Sequence, residues 1–159
     1  MNRTPVNHWL LKSEPATFGI DDLAAAAKRT TAWDGVRNFQ ARNTLRDSVK
    51  KGDLAFFYHS SCPEPGIAGI VRIVRGGYPD ETAFDPADDH YDAASRRETP
   101  RWYAVDVGLV RAFGRVITLD RLRRHASKEL ANLAILRRGN RLSVTPVAKS
   151  EWDFILGLE

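Results

Sequence analysis

The sequence predicts an α+β fold, a small and mostly antiparallel β-barrel with helices packed on its outside. Three observations lead there. Short β-rich runs are separated by long connections; residues 102–111 alternate apolar and polar with strand periodicity; and helical spacing is confined to short stretches between and after the strands. At 159 residues the chain has the size of one domain and can bury a core without disulfide or metal staples, so a single domain over 1–159 is expected.

Each element follows from local chemistry. Asn7 to Ser13 reads as a strand with Trp9 and Leu11 on one face and Leu10 on the other, closed by Glu14-Pro15. Ile20 to Lys28 is an alanine-rich helix, and Thr30 to Arg37 a loop turning at Gly35. Asn38 to Lys50 reads as a helix with Phe39, Leu45 and Val49 near its apolar face and a stop at Gly52. Asp53 to Ser60 and Ile67 to Val74 are strands, joined through a proline-containing loop too long for a two-residue hairpin. Pro79 to Pro100 lacks periodicity and is an excursion outside the sheet. In the strand Trp102 to Arg111, residues Tyr103, Val105, Val107 and Leu109 face the core. Thr118 caps a short helix through Arg124, Ser127 another through about Arg137, and Ser150 a last one carrying Trp152, Ile155 and Leu156, after a short strand from Arg141 to Val147.

Composition excludes several classes. A lone cysteine, Cys62, rules out an internal disulfide framework and suits a reducing compartment. No apolar run approaches a membrane span, and Arg3, Lys12 and Glu14 interrupt any leader-like stretch, so a soluble, cytoplasmic protein is expected, most simply a monomer. His59 and Cys62 have no second ligand pair at zinc spacing, and the aspartates from Asp85 to Asp92 lack the glycine and terminal glutamate of a calcium loop. With no phosphate-loop string, dinucleotide fingerprint or nucleophile elbow, no metal, cofactor or catalytic residue is assigned.

Charge is distributed unevenly. Residues 80–92 carry six acids and no Lys or Arg, whereas 111–141 carry nine Lys and Arg against two acids. A localised basic surface is the footprint of a phosphate-bearing partner; solvated faces of two short helices are the plainer alternative.

Three strings stand out: HWLLKSEP at 8–15, WDGVRNFQARN at 33–43 and GDLAFFYHS at 52–60, followed by PRW at 100–102 and LSVTP at 142–146. Together they closely resemble the EVE domain of the thymocyte nuclear protein family, from about residue 7 to 156. The resemblance implies a PUA-like open barrel related to the PUA, ASCH and YTH domains. It also implies a pocket for a nucleobase, since YTH relatives hold a methylated adenine in an aromatic cage and EVE domains are associated with modified DNA bases.

The residues suit that expectation. Trp33 offers a rigid π-face, and stacking a base on an aromatic is worth about 1–3 kcal/mol. Lys12 and Ser13, where a strand ends, present donors and acceptors to a base edge, the role of the corresponding Lys-Ser string in YTH domains. The Asn38 amide matches a Watson–Crick edge. Tyr58, His59 and Ser60 end a strand at the barrel rim, and Trp102 is the candidate for a second cage wall, with Trp9 the alternative. Arg37, Arg42, Arg121, Arg123 and Arg124 are the phosphate candidates, with Arg46 beside them. The plainer alternatives are that Trp33 is core, Ser13 opens a turn, Asn38 merely caps its helix and His59 is structural. The expected function is a non-enzymatic reader of a modified base, such as a modified cytosine in DNA, that flips the base out of its stack. An RNA-binding module for modified or structured RNA, and an enzyme acting on a nucleotide through His59, are the rivals.

Overall fold

The computed structural model describes residues 5–159, so Arg3 lies outside it. Six strands, β1 (His8–Ser13), β2 (Thr30–Trp33), β3 (Leu54–His59), β4 (Gly66–Pro79), β5 (Tyr103–Thr118) and β6 (Val144–Val147), form one sheet in the order β2-β5-β4-β3-β1-β6. Neighbours are antiparallel except β1 and β3, which run parallel from His8 opposite Leu54 to Ser13 opposite His59. The sheet is open, with β2 and β6 at its edges, as the predicted fold class requires. Four register shifts between β4 and β5 mark bulges, which bend a strand and increase its twist.

Strand alternation divides the core. Trp9 and Leu11 of β1 and Ala55 and Phe57 of β3 join Trp33, Val105 and Val107 on one face. Leu10, Phe56, Tyr58 and Ile117 join Trp152 and Ile155 on the other. Helices α1 (Pro15–Phe18), α2 (Ile20–Ala25) and α3 (Phe39–Asp47) lie within the β1–β3 crossover, α4 (Leu119–Arg123) follows β5, and α5 (Lys149–Leu156) stacks Trp152 on Phe56 with ring centres 3.8 Å apart. The one buried carboxylate at the start of β3, Asp53, accepts from Trp9 Nε1 at 2.9 Å and from the backbone of Asn7 and Lys50, tying β1 to the turn before β3.

The strands 53–60, 67–74 and 102–111 are found, the last two extended to Pro79 and Thr118, where each supplies the other's ladder partners. Several local expectations are corrected. Thr30–Trp33 is a strand, because β5 pairs with it in the register Trp33 opposite Val105. Residues 20–28 do not form one helix: α2 ends at Ala25, and Lys28 adopts φ 55° within a following 3₁₀ turn. Phe39 points outward, since Ala41, Leu45 and Val49 at four-residue spacing make the buried stripe and Phe39 lies well round the helix from it. Between Ser127 and Arg137 there are successive turns and a short 3₁₀ segment, Ala134–Leu136, which seat both Leu130 and Leu133 in the core. The last helix is capped at Ala148, whose N–H donates to Glu151, so Ser150 sits in its first turn. Within 79–100, Glu81–Phe84 makes one 3₁₀ turn; the segment otherwise runs outside the sheet.

Candidate functional site

A cleft of about 640 Å³ opens between the end of β1 and the loop after β2. Lys12, Ser13 and Glu14 line one side, Thr17 and Phe18 of α1 follow, and Thr31 to Arg37 form the opposite wall, with His90 and Ser143 at the margins. This volume falls in the range of small-ligand sites. Trp33 contributes to the wall while only 8% exposed, because its ring also packs edge-on against Phe57 at 5.3 Å. It is therefore both a core residue and a cleft surface.

A strap from the acidic segment holds the Trp33–Arg37 loop. Asp80 is fully buried and accepts from Gly35 N at 2.8 Å, Arg37 Nη1 at 2.9 Å, and the backbone N–H and hydroxyl of Thr82. Arg37 also donates to the carbonyl of His90 at 2.7 Å. Gly35 has φ 75°, and a Cβ there would approach the His90 ring to 2.7 Å, so both backbone conformation and space select glycine. Burial alone would raise the pKa of Asp80; the hydrogen bonds from Thr82, Gly35 and Arg37 outweigh it and hold the carboxyl below its ordinary value.

The cleft contains two further polar groups of opposite tendency. Burial lowers the Lys12 pKa. Asp34, exposed at the mouth beside Trp33, has its carboxyl raised, first by desolvation and then by the nearby Asp80 charge. At the end of β1, the Ser13 hydroxyl donates to Phe18 O at 2.6 Å and its carbonyl accepts from Ser60 N, while Lys12 N donates to Ser143 O. The Ser13 hydroxyl oxygen keeps acceptor capacity toward the cleft.

Of the residues singled out from sequence, Lys12, Ser13, Trp33 and Arg37 come together here. The others are placed elsewhere. Asn38 is outside the lining, and its Oδ1 caps α3 by accepting from Ala41 N at 3.0 Å. Tyr58 is buried on the other face of the sheet, where desolvation pushes its pKa up to about 12. His59 Nε2 accepts from Ile20 N at 3.1 Å, and Ser60 pairs with Ser13 through the backbone, so neither side chain reaches the cleft wall. Trp102, 6% exposed, donates Nε1 to Asp92 at 2.6 Å and lies behind Arg37 rather than opposite Trp33. Trp9 is core. Arg42 lies on the outer face of α3, and Arg121, Arg123 and Arg124 on and just after α4, whose Leu122 anchors to the second core. Asp34, Phe18, Thr31 and His90 are among the lining residues that the sequence does not single out. Asp34 stands beside Trp33 in the most distinctive string and was legible there; His90 reaches the site only through the strap.

The EVE domain family model matches residues 7–158. Thymocyte nuclear protein 1 of Gallus gallus is 50% identical over 167 residues, spanning 96% of this chain and 68% of that protein. Among solved structures, human THYN1 in complex with DNA containing 5-methylcytosine is 46% identical with a TM-score of 0.90, covering 96% of both chains. A Pseudomonas putida protein is 49% identical with a TM-score of 0.89, over 95% of this chain and 98% of that one.

Proposed function

The chain belongs to the EVE domain family, and we propose that it binds DNA and reads a modified cytosine extruded into the cleft beside Trp33, without catalysing a reaction on it. The observation that carries this reading is the cleft itself: an open hollow with room for a base, an aromatic wall and polar edges, in a chain whose fold matches that of a relative solved with 5-methylcytosine-containing DNA. Trp33 supplies the stacking surface, fixed in place by β5 pairing and by Phe57. An Asp34 carboxyl oxygen accepts from the exocyclic amine of cytosine, a contact that thymine, with a carbonyl there, does not offer. Lys12 faces the acceptors of the base or its phosphate. Extrusion costs a few kcal/mol, offset by stacking and edge hydrogen bonds. No helix among the described residues is long and apolar enough to cross a membrane, and the reader is proposed to act as a monomer in the cytoplasm, without a cofactor.

The test is a titration of matched oligonucleotides carrying cytosine, 5-methylcytosine or thymine at one position, in DNA and in RNA, followed by protein-detected NMR. The expected result is tightest binding to the 5-methylcytosine DNA, with the largest shifts at Lys12, Trp33 and Asp34. Equal affinity for all strands, or shifts away from the cleft, overturns the proposal; preference for RNA moves it to the RNA reading. Trp33→Phe, which keeps an aromatic ring beside Phe57 at a smaller loss of packing, should retain folding and weaken the modified strand, whereas Trp33→Ala removes core packing worth about 3–5 kcal/mol.

A further inference from the structure

The most exposed large hydrophobic residue among those described is Phe39, at 50%, and it is not loose. Its ring stacks on Trp102 with centres 4.7 Å apart and planes 20° from parallel. Trp102 is in turn pinned through its indole N–H to Asp92. The guanidinium carbons of Arg42 and Arg101 stand 4.9 and 6.0 Å from the Phe39 ring centre. These cations are weakly neutralised. Arg42 donates to Asn43 Oδ1 and to the carbonyl of Arg101, and Arg101 approaches Asp92 only to 3.7 Å.

An exposed ring backed by a buried indole, with two incompletely neutralised guanidiniums over it, matches a strand of nucleic acid: π-face for base, cation for phosphate. The platform also adjoins the cleft. Arg37, part of the cleft wall, lies 5.3 Å over the Trp102 ring that supports Phe39, so one residue borders both surfaces. We propose that the Arg42 guanidinium turns from the Phe39 ring to a phosphate, so that Phe39 stacks a base neighbouring the extruded one while Arg42 and Arg101 hold the adjoining phosphates. The inference rests on the DNA-binding reading of the cleft and adds the strand to it: the ligand is an oligonucleotide gripped at two points.

Two ligands separate the two points. Free 5-methyl-2′-deoxycytidine fills the cleft alone, and a single-modification oligonucleotide with 2-aminopurine beside the modified base engages both. Phe39→Ala and Phe39→Leu should lower affinity for the oligonucleotide about tenfold, on modified and unmodified strands alike, and abolish quenching of 2-aminopurine. Both should leave nucleoside affinity unchanged and lower the melting temperature only slightly, through loss of the Trp102 stack, and Phe39→Tyr should restore binding. Full strand affinity in Phe39→Ala, equal loss of strand and nucleoside binding, or no strand binding by the unaltered protein overturns the platform. Failure of the unaltered protein to prefer the modified base, with the Phe39 effect on strands intact, counts against the cleft reading alone.

Discussion

Asp80 shows how much one carboxylate can organise. In sequence it is one of six acids in a run with no cations, and a solvated acid is the natural reading. In the fold it is fully buried, because Gly35 and Arg37, more than forty residues earlier, bring their donors to it. Nothing local in the sequence announces such a pairing, whereas Asn38 as a helix cap was legible among the alternatives since its partner is three residues away. Removing a buried, paired charge leaves its donors unsatisfied, and Asp80→Ala should destabilise the protein by about 3–5 kcal/mol, read as a lower denaturant midpoint. The carboxyl is held below its usual value of 3.8. Its stabilisation is therefore complete above that value and lost as pH falls through the lower folded one. The acid limb of the stability curve should flatten in Asp80→Ala.

Elements were legible where their cause was local. The apolar alternation of 102–111 and the Thr118 cap are both found, the latter accepting from Arg121 N. What failed depended on distant partners: β2 exists because β5 pairs with it, and 127–137 gives up helical regularity to bury two leucines. His59 links two elements in the same manner. Its Nε2 accepts from Ile20 at the start of α2, which requires the neutral ring, and burial lowers its pKa against an opposing pull from Asp21. A depressed histidine contributes stability that is present above the ordinary value of 6.5 and declines as pH falls below it toward the folded value. Between pH 7.5 and 5, the unfolding free energy should therefore drop less steeply in His59→Gln than in the unaltered protein. His8, lowered chiefly by burial and then by Lys149, keeps part of the slope.

At the scale of the whole molecule, the fold class followed from strand spacing and the cleft's two walls from the strings at 8–15 and 33–43, while the strap and the outward Phe39 emerged only in three dimensions. The basic stretch 111–141 is the remaining long-range feature. Its α4 arginines are absent from the cleft lining and belong to a helix anchored on the sheet's other face. They are proposed to position the polymer without reading it. Replacing Arg121, Arg123 and Arg124 with Ala should weaken modified and unmodified strands by similar factors and flatten the dependence of affinity on salt, leaving the base preference intact. A filter-binding series across salt concentrations checks it; an unchanged slope would make these residues a solvated face.

The parallel pairing of β1 with β3 bears on the order in which the molecule assembles. Parallel neighbours need a crossover, and here the crossover, residues 14–53, carries α1, α2, β2 and α3, including most of the cleft wall. The β3–β4 ladder closes over a short loop, whereas Trp33 pairs with Val105, far later in the chain. Loop-closure entropy makes such long-range contacts late. Weakening the long-range contacts around Trp33 should therefore speed unfolding more than it slows folding, an outcome read from the two arms of a chevron.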